Sequence, residues 1–315
     1  MKALQAVEKK PVVVEVPRPE CAEGQVRIRV TATGVNRADL LQVAGLYPPP
    51  PGVSDVLGLE CAGEIVEATA DSGWQVGDQV CALLAGGGMA EEVCVDARHV
   101  LPLPQGLTLL EAAAVPEVYA TAWLNVFMLG EAKKGDRVLI HAGASGVGSA
   151  AIQLCKALEI DCWVSVGSQE RLDYCIELGA QGGVIRGDGI EGLQEFGPFD
   201  VILDPVGASY AVQNLKMLAV DGRWVNIGLM GGRRVELDLA QLLGKRIRFI
   251  GSTLRTRDDG FKADLIASLR QQVWPMFAAG KLHPQAEEVF DFADAEQAFA
   301  RLASNQVNGK LVLKL

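Results

Sequence analysis

The sequence contains no run of about 18 or more apolar residues, so no segment is long enough to cross a bilayer as a helix. Its N-terminal stretch, MKALQAVEKKPVV, lacks the apolar core of a signal peptide, which makes a cytoplasmic protein the expectation. No C-x-x-C pair occurs, and the seven cysteines are odd in number and widely spaced, which argues against a disulfide framework. Cys155 and Cys162 read as buried apolar fillers. Histidine is confined to His99, His141 and His283. An excess of positive charge is missing too. The formal net charge is −10 with the acids scattered, which speaks against a general binder of nucleic-acid backbone. Internal repeats and low-complexity tracts are absent apart from one proline run.

What is present points to two domains. The 315 residues exceed one typical domain, and 49% of them are apolar, enough for a packed core. Residues 1–116 carry short β-like runs (VVVEV, QVRIRV, EIVEA, DQVCAL, EEVCV) separated by glycine, proline and acidic turns. NRADLLQVAG is a short helical exception closed by Gly45, and YPPPPG after it is a rigid exposed loop. From about Pro116 the texture changes. EVYATAWLNVFML reads as one helix ended by Gly130, and then apolar strands and helices alternate. Apolar runs of about four to eight residues between helices mark a parallel sheet buried on both faces, hence a doubly wound α/β domain. After residue 256 come a long helix interrupted at Pro275, a second helix AEQAFARLASN and a final strand GKLVLKL.

The strand DRVLI leads directly into HAGASGVGSAAIQL, a glycine-rich turn opening a helix. Such a turn exposes free N–H groups and the positive end of the helix dipole, and phosphate suits both. Gly143 allows the tight turn, Gly146 close backbone approach, and Gly148 close packing of the helix on the sheet. Ser145 stands where the dinucleotide fingerprint has its second glycine, and its hydroxyl can donate to phosphate. Val147 follows in the first helical turn. Ser145 is not a hydrolase nucleophile: the elbow G-x-S-x-G needs glycine where Val147 stands, and His141 lies at the strand end on the wrong side of the turn.

The next strand bears on the choice of nucleotide. NAD-binding chains place an acid at its end, roughly 20 residues past the loop. Here CWVSVGSQERLDY offers Gly167, Ser168 and Arg171, while Glu170 falls in the start of the helix. A small polar pocket with a guanidinium suits a ribose 2′-phosphate, and Arg186 can add a second positive charge. The cofactor expected from these residues is NADP(H).

With these stretches in place, the chain resembles the zeta-crystallin-like quinone oxidoreductase branch of the medium-chain dehydrogenase/reductase superfamily. Within it, the chain looks most like the quinone reductases induced by a tumour-suppressor transcription factor. The likeness covers the whole chain and is carried by NRADLLQVAGLYPPPPG, LGLECAGEIVE, GLTLLEAAAVPE, LIHAGASGVGSAAIQL, GSQERL, LDPVGASY, DGRWVNIGLMGG and NGKLVLKL. It implies a GroES-like, mostly β catalytic domain over residues 1–116, a Rossmann NADP(H)-binding domain over 117–256, and a return segment 257–315 that completes the first domain. It also implies a cofactor in the cleft between domains and a homodimer through the edge strand around Arg246–Leu254. Zinc-dependent members of the superfamily have a cysteine where this chain has Asn36 and a histidine where it has Leu59, neither of which can replace those ligands, so no metal is expected.

By the same resemblance, Asn36 faces the substrate carbonyl, Asp39 positions Asn36 or the cofactor ribose, and Tyr47 meets a flat substrate; Asn36 and Asp39 could equally cap the helix that follows. Thr121 falls near the nicotinamide, one helical turn from Glu117. Gly228, Met230 and Gly231 lie at the carboxyl edge of the sheet, Thr253 and Leu254 offer backbone contacts to the ring amide, and Asn308 and Lys310 reach the adenosine side. One departure is Ile185–Arg186, where relatives carry Asn-Tyr. The activity implied is NADPH-dependent reduction of a quinone. Reduction of an activated alkene (an enone or alkenal), or NADPH binding with little catalysis, are the alternatives.

Overall fold

A computed structural model describes residues 1–315, the side chain of Asp188 excepted. The chain divides into two compact units, Met1–Ala120 with Leu254–Leu315, and Thr121–Thr253.

The first unit is built on β-structure. Strands β1 (Lys2–Val7) and β2 (Lys10–Glu15) pair as a hairpin. Strand β3 (Gln25–Val35), helix α1 (Arg37–Val43) and strands β4 (Glu60–Glu67), β5 (Gln79–Leu83), β6 (Glu92–Asp96) and β7 (Val100–Pro102) follow, then helices α2 (Leu109–Ala112) and α3 (Pro116–Ala122). The alternation in β3 turns Val26, Ile28, Val30 and Ala32 inward, where they are buried. Between α1 and β4 the proline run forms neither helix nor strand.

In the second unit, β8 (Arg137–His141), β9 (Asp161–Val166), β10 (Gly182–Ile185), β11 (Phe199–Asp204), β12 (Leu218–Asn226) and β13 (Arg248–Gly251) form one parallel sheet in the order β10-β9-β8-β11-β12-β13. Helices α4 (Gly146–Ala157), α5 (Gln169–Leu178), α6 (Ala208–Met217) and α7 (Leu239–Lys245) connect its strands. The strands are short apolar runs such as Val138-Leu139-Ile140, each fully buried, as a sheet covered on both faces requires. This is the doubly wound parallel sheet expected from the alternation, and the other unit is mostly β, as expected.

The chain then returns to the first unit through α8 (Asp259–Gln272), α9 (Trp274–Ala278), β14 (Ala286–Asp291), α10 (Ala295–Ala303) and β15 (Lys310–Lys314). Strand β15 lies between β14 and β3, pairing Leu311 with Val35 and Leu313 with Thr33. The long helix breaks between Gln272 and Trp274, just before Pro275.

Two expectations are corrected. The stretch EVYATAWLNVFML is not one regular helix: α3 passes into a π-helical stretch, Trp123–Leu129. The Gly130 N–H donates to the Asn125 carbonyl, five residues back, at 3.0 Å. Glycine is what lets that wide turn close, because a Cβ there would sit 2.6 Å from the Val126 carbonyl oxygen. The cysteines, too, hold one disulfide, Cys21–Cys94. Its partners are 73 residues apart, and only the antiparallel pairing of β6 with β3 (Arg27 opposite Cys94, Gln25 opposite Asp96) brings the segment before β3 alongside β6. The other five cysteines are free and buried.

Gly34 in β3 has a stricter requirement. A Cβ there would run into the carboxylate of Glu60 and lie 2.8 Å from the Ala113 carbonyl oxygen. Gly34→Ala is expected to cost about 2–3 kcal/mol through overpacking, read as a lower urea midpoint with unchanged slope.

Candidate functional site

In the second unit the strand order reverses between β8 and β11, and the turns after these strands stand at the carboxyl edge of the sheet, the usual ligand side of such folds. The turn after β8 is the glycine loop. Gly143 packs so closely that a Cβ would lie 2.6 Å from Val164 and 3.2 Å from the Cys175 sulfur. Gly148 faces the loop rather than the sheet, and a Cβ on it would press 2.6 Å from the Ala142 carbonyl oxygen. Ser145 is the N-cap of α4 at φ −72°, ψ 166°, and its Oγ accepts from the Gly148 N–H at 3.1 Å. That ordinary extended geometry is why the middle position of the loop needs no glycine. The N–H groups of Gly146 and Val147 have no acceptor among the described residues, as expected in a first helical turn.

At the end of β9, Ser168 is the N-cap of α5, its Oγ accepting from the Arg171 N–H at 3.4 Å. Glu170 lies in the first turn of that helix. Two guanidinium groups converge over Gly167: a Cβ there would be 3.5 Å from Arg171 Nη1 and 3.5 Å from Arg186 Nη2. Like charges this close repel, and an anion between them relieves the repulsion.

The turn after β11 is organised by Asp204, which is wholly buried. Its Oδ1 accepts from the N–H groups of Val206 (2.7 Å) and Gly207 (3.0 Å), and its Oδ2 from Asn214 Nδ2 (3.1 Å) and Trp224 Nε1 (2.9 Å). The Asn214 carbonyl oxygen in turn meets His141 Nε2 at 2.8 Å, and His141 Nδ1 lies 2.7 Å from Ser165 Oγ. Burial lowers the His141 pKa, so the neutral ring donates through Nε2 and accepts the Ser165 hydroxyl. The turn held by Asp204 then fixes the next one, through Met230 N–H to Pro205 (3.2 Å) and Gly231 N–H to Val206 (2.7 Å). A Cβ on Gly228 would lie 2.7 Å from the Pro205 carbonyl oxygen. Asp204, Asn214, Ser165 and the linking role of His141 escaped the sequence reading. The signal was an acid closing the apolar run FDVILD.

Near the unit's two ends, Thr121 lies in α3 and its carbonyl accepts from Asn125 Nδ2 at 2.7 Å, while Thr253 follows the buried Ser252. Asn125 Oδ1, Ser252 Oγ and, in the first unit, Asn308 Oδ1 are buried acceptors or donors with no partner among the described residues.

The first unit assembles a second polar centre. Asn36 is the N-cap of α1, and its backbone N–H donates to Asp39 Oδ2 at 2.8 Å; Asp39 Oδ1 accepts from the Gly58 N–H at 3.1 Å. The Asn36 side chain serves a different purpose. Its Nδ2 donates to Glu60 Oε1 (2.9 Å), and its Oδ1 accepts from Lys310 Nζ (2.6 Å). Lys310 also donates to Glu60 Oε1 at 2.6 Å and to the Val35 carbonyl at 3.2 Å. Glu60 Oε2 accepts from the Glu117 N–H at 2.9 Å, at the first turn of α3. Lys310, expected at the adenosine side, is therefore 4% exposed with its ammonium held at Glu60 and Asn36. The sequence distance of 250 residues hid that pair.

Tyr47 is held by Arg255, whose guanidinium lies 5.3 Å from the ring centroid and donates to the Tyr47 carbonyl at 3.2 Å. Arg255 also donates to the Ala85 carbonyl (2.6 Å) and to Gln42 Oε1 (2.8 Å). Burial pushes the Tyr47 phenol up and, with Glu60 nearby, the fully buried Cys61 thiol up as well. Among the described residues no three His, Cys, Asp or Glu side chains are grouped to hold a metal.

Burial raises the Asp39 carboxyl to about 6, against the lowering effect of the Asn36 N–H, Lys310 and the Gly58 N–H. An acid whose pKa is higher folded than unfolded holds its proton longer in the native state. Its contribution therefore favours folding below the unfolded pKa and is lost as pH rises from about 4 to about 6. Relative to Asp39→Asn, the wild type should lose on the order of 3 kcal/mol of unfolding free energy across that window, measured by urea titration at each pH.

Comparison with known proteins gives this geometry a lineage. Residues 22–105 match the alcohol dehydrogenase GroES-like domain family, and residues 146–269 the zinc-binding dehydrogenase family. The chain is 30% identical over 333 residues to quinone oxidoreductase-like protein 2 of Bos taurus, covering 99% of this chain and 92% of that protein. It is 32% identical over 293 residues to polyketide synthase GfsB of Streptomyces halstedii, of which it spans only 5%. The solved quinone oxidoreductase of Thermus thermophilus, studied also in complex with NADPH, superposes with a TM-score of 0.83 at 29% identity over 100% of both chains. The CurK enoyl reductase superposes with a TM-score of 0.85 at 26% identity, covering 99% of this chain and 98% of that one. With both domain families in order along it and a bovine relative matched along nearly its whole length, the chain belongs to the medium-chain dehydrogenase/reductase superfamily of oxidoreductases and has quinone oxidoreductase-like relatives.

Proposed function

We propose that this protein is an NADPH:quinone oxidoreductase that works without a metal. The observation that carries the cofactor choice is the convergence of Arg171 and Arg186 over Gly167, where an acid would be expected for NAD. Ser168 adds a hydroxyl beside them, and two guanidinium groups match the charge and the acceptor oxygens of a 2′-phosphate. The NADPH complex of the Thermus thermophilus relative supports the same choice.

The residues present fit such a cofactor. Gly143 and Gly148 let the turn fold tightly against Val164 and the Ala142 carbonyl, where a Cβ would clash, and the N–H groups of Gly146 and Val147 with the Ser145 hydroxyl offer donors to a pyrophosphate. Gly228 and Met230, on the turn tied to Asp204, are assigned to the cofactor, as are Thr121, Thr253 and Leu254 on the nicotinamide side and Asn308 in the tail. Within the second unit, the unpartnered Asn125 Oδ1 and Ser252 Oγ support this assignment, because buried polar atoms require partners. Bound NADPH supplies the hydride. Asn36 and Tyr47 bind the acceptor, Asn36 by hydrogen bonding to its oxygen and Tyr47 through its ring. Asp39 positions Asn36 through its backbone N–H.

The substrate is a small quinone, and the chain resembles the quinone reductases inducible by a tumour-suppressor transcription factor. Reduction of an activated alkene is the second reading, favoured by the similarity to the CurK enoyl reductase. The protein would act in the cytoplasm as a homodimer joined along β13, which ends the sheet beside β12 and leaves Phe249 55% exposed.

An NADPH-oxidation screen of the purified protein over quinones, enones and alkenals tests the substrate. Turnover of quinones well above that of alkenals is expected, the reverse ranking selects the alkene reductase, and tight NADPH binding with no turnover on any acceptor leaves a binding protein. Arg171→Ala and Arg186→Ala should each weaken NADPH binding by about 10- to 100-fold, the value of a charge-assisted hydrogen bond, with NADH affinity unchanged. An equal loss for both dinucleotides would exclude the phosphate assignment.

A further inference from the structure

We infer that Lys310 and Glu60 are positioning residues that act on the substrate through Asn36, fixing its amide so that it meets the acceptor only as a hydrogen-bond donor. The inference rests on the substrate role proposed above for Asn36 and narrows the substrate class.

The Asn36 amide is held at both ends. Its oxygen faces the Lys310 ammonium at 2.6 Å, and its nitrogen faces Glu60 Oε1 at 2.9 Å. Flipping the amide would set N–H groups against an ammonium and a carbonyl oxygen against a carboxylate, two repulsive contacts in place of two attractive ones. All three side chains are at least 94% buried, with Asn36 at 6%, Lys310 at 4% and Glu60 at 0% exposure, so little water screens the preference. Glu60 is held in turn by the Glu117 N–H and by the space Gly34 leaves. One amide hydrogen of Asn36 remains after Glu60 has taken the other. The ammonium draws electron density toward the amide oxygen while the carboxylate returns it through the nitrogen, so what the pair gives the remaining N–H is a fixed direction.

A donor so fixed suits an oxygen that gains negative charge. In the reaction, a hydride brings two electrons and a hydrogen to the acceptor, one π bond of the acceptor opens, and the charge collects on the carbonyl oxygen. A proton from water would then complete the hydroquinone or the enol, the two electrons and the hydrogen being those that bound NADPH would supply on its oxidation to NADP⁺. The arrangement selects a conjugated carbonyl compound over an alcohol, whose oxidation requires an acceptor for the hydroxyl proton at the same place.

The test compares wild type, Asn36→Ala, the charge-free pair Glu60→Gln with Lys310→Met, and the triple variant that combines them. The pair removes both charges together so that neither is left buried alone. Two readouts are taken: kcat and KM for 2-methyl-1,4-naphthoquinone with NADPH, and, without cofactor, the affinity for ionised 2-hydroxy-1,4-naphthoquinone, which carries a delocalised oxyanion. Asn36→Ala should lower kcat about 100-fold with little change in KM, the signature of a lost oxyanion donor. The pair should lower kcat and anion affinity by about 10-fold each, yet change neither by more than about 2-fold once Asn36 is alanine. A further 10-fold loss in that background would overturn the inference, as would a pair variant indistinguishable from wild type. Should the pair not fold, Lys310→Arg, which keeps a cation at the Asn36 oxygen, must hold anion affinity within about 3-fold, and a larger loss sinks the idea. If the wild type reduces neither quinones nor enones, the proposed function fails, while the anion-binding cycle still decides whether Lys310 and Glu60 work through Asn36.

Discussion

The ion pair between Lys310 and Glu60 lies out of reach of water, at 2.6 Å, and the first unit is organised around it. Removing one partner of such a pair leaves a bare charge in a medium that cannot solvate it, at a cost of about 3–5 kcal/mol. The pair therefore demands that four separate segments be in place together. Strand β4 supplies the carboxylate, β15 the ammonium, the N-cap of α1 an amide, and the start of α3 a backbone N–H. Gly34 in β3 leaves the carboxylate room. A strand from the far end of the chain thus becomes part of the same polar centre as residues near the beginning.

The second unit uses one carboxylate in a related way. Asp204 has no cationic partner among the described residues; two backbone N–H groups, an asparagine and a tryptophan N–H satisfy it. Hydrogen bonding at this density is what permits an acid to be wholly buried. It ties the carboxyl ends of β8, β9 and β11 into one platform through His141, Ser165 and Asn214. The glycine loop and the arginine pair stand on that platform's edge.

Much of this was legible along the chain where the cause is local. The strand–glycine turn–helix unit announces itself within about 20 residues, since apolar periodicity, a serine cap and small residues at a tight turn are short-range requirements. The texture change near Pro116 likewise follows from apolar runs long enough for a doubly covered sheet. The π-helical stretch was not legible, because it depends on whether five-residue-back bonds beat four-residue-back bonds within a packed segment. The disulfide was not legible either, since spacing says nothing about which strands lie side by side.

The sequence by itself determined the fold class and the strand–glycine turn–helix unit, because each depends on residue type at short spacing. Only the tertiary structure decided that Arg171 and Arg186 point at one spot, that Asn36 turns its amide away from the helix it caps, and that Lys310 serves Glu60. Those facts depend on which distant segments the sheets bring together, and a charge takes its role from the partners that burial forces upon it.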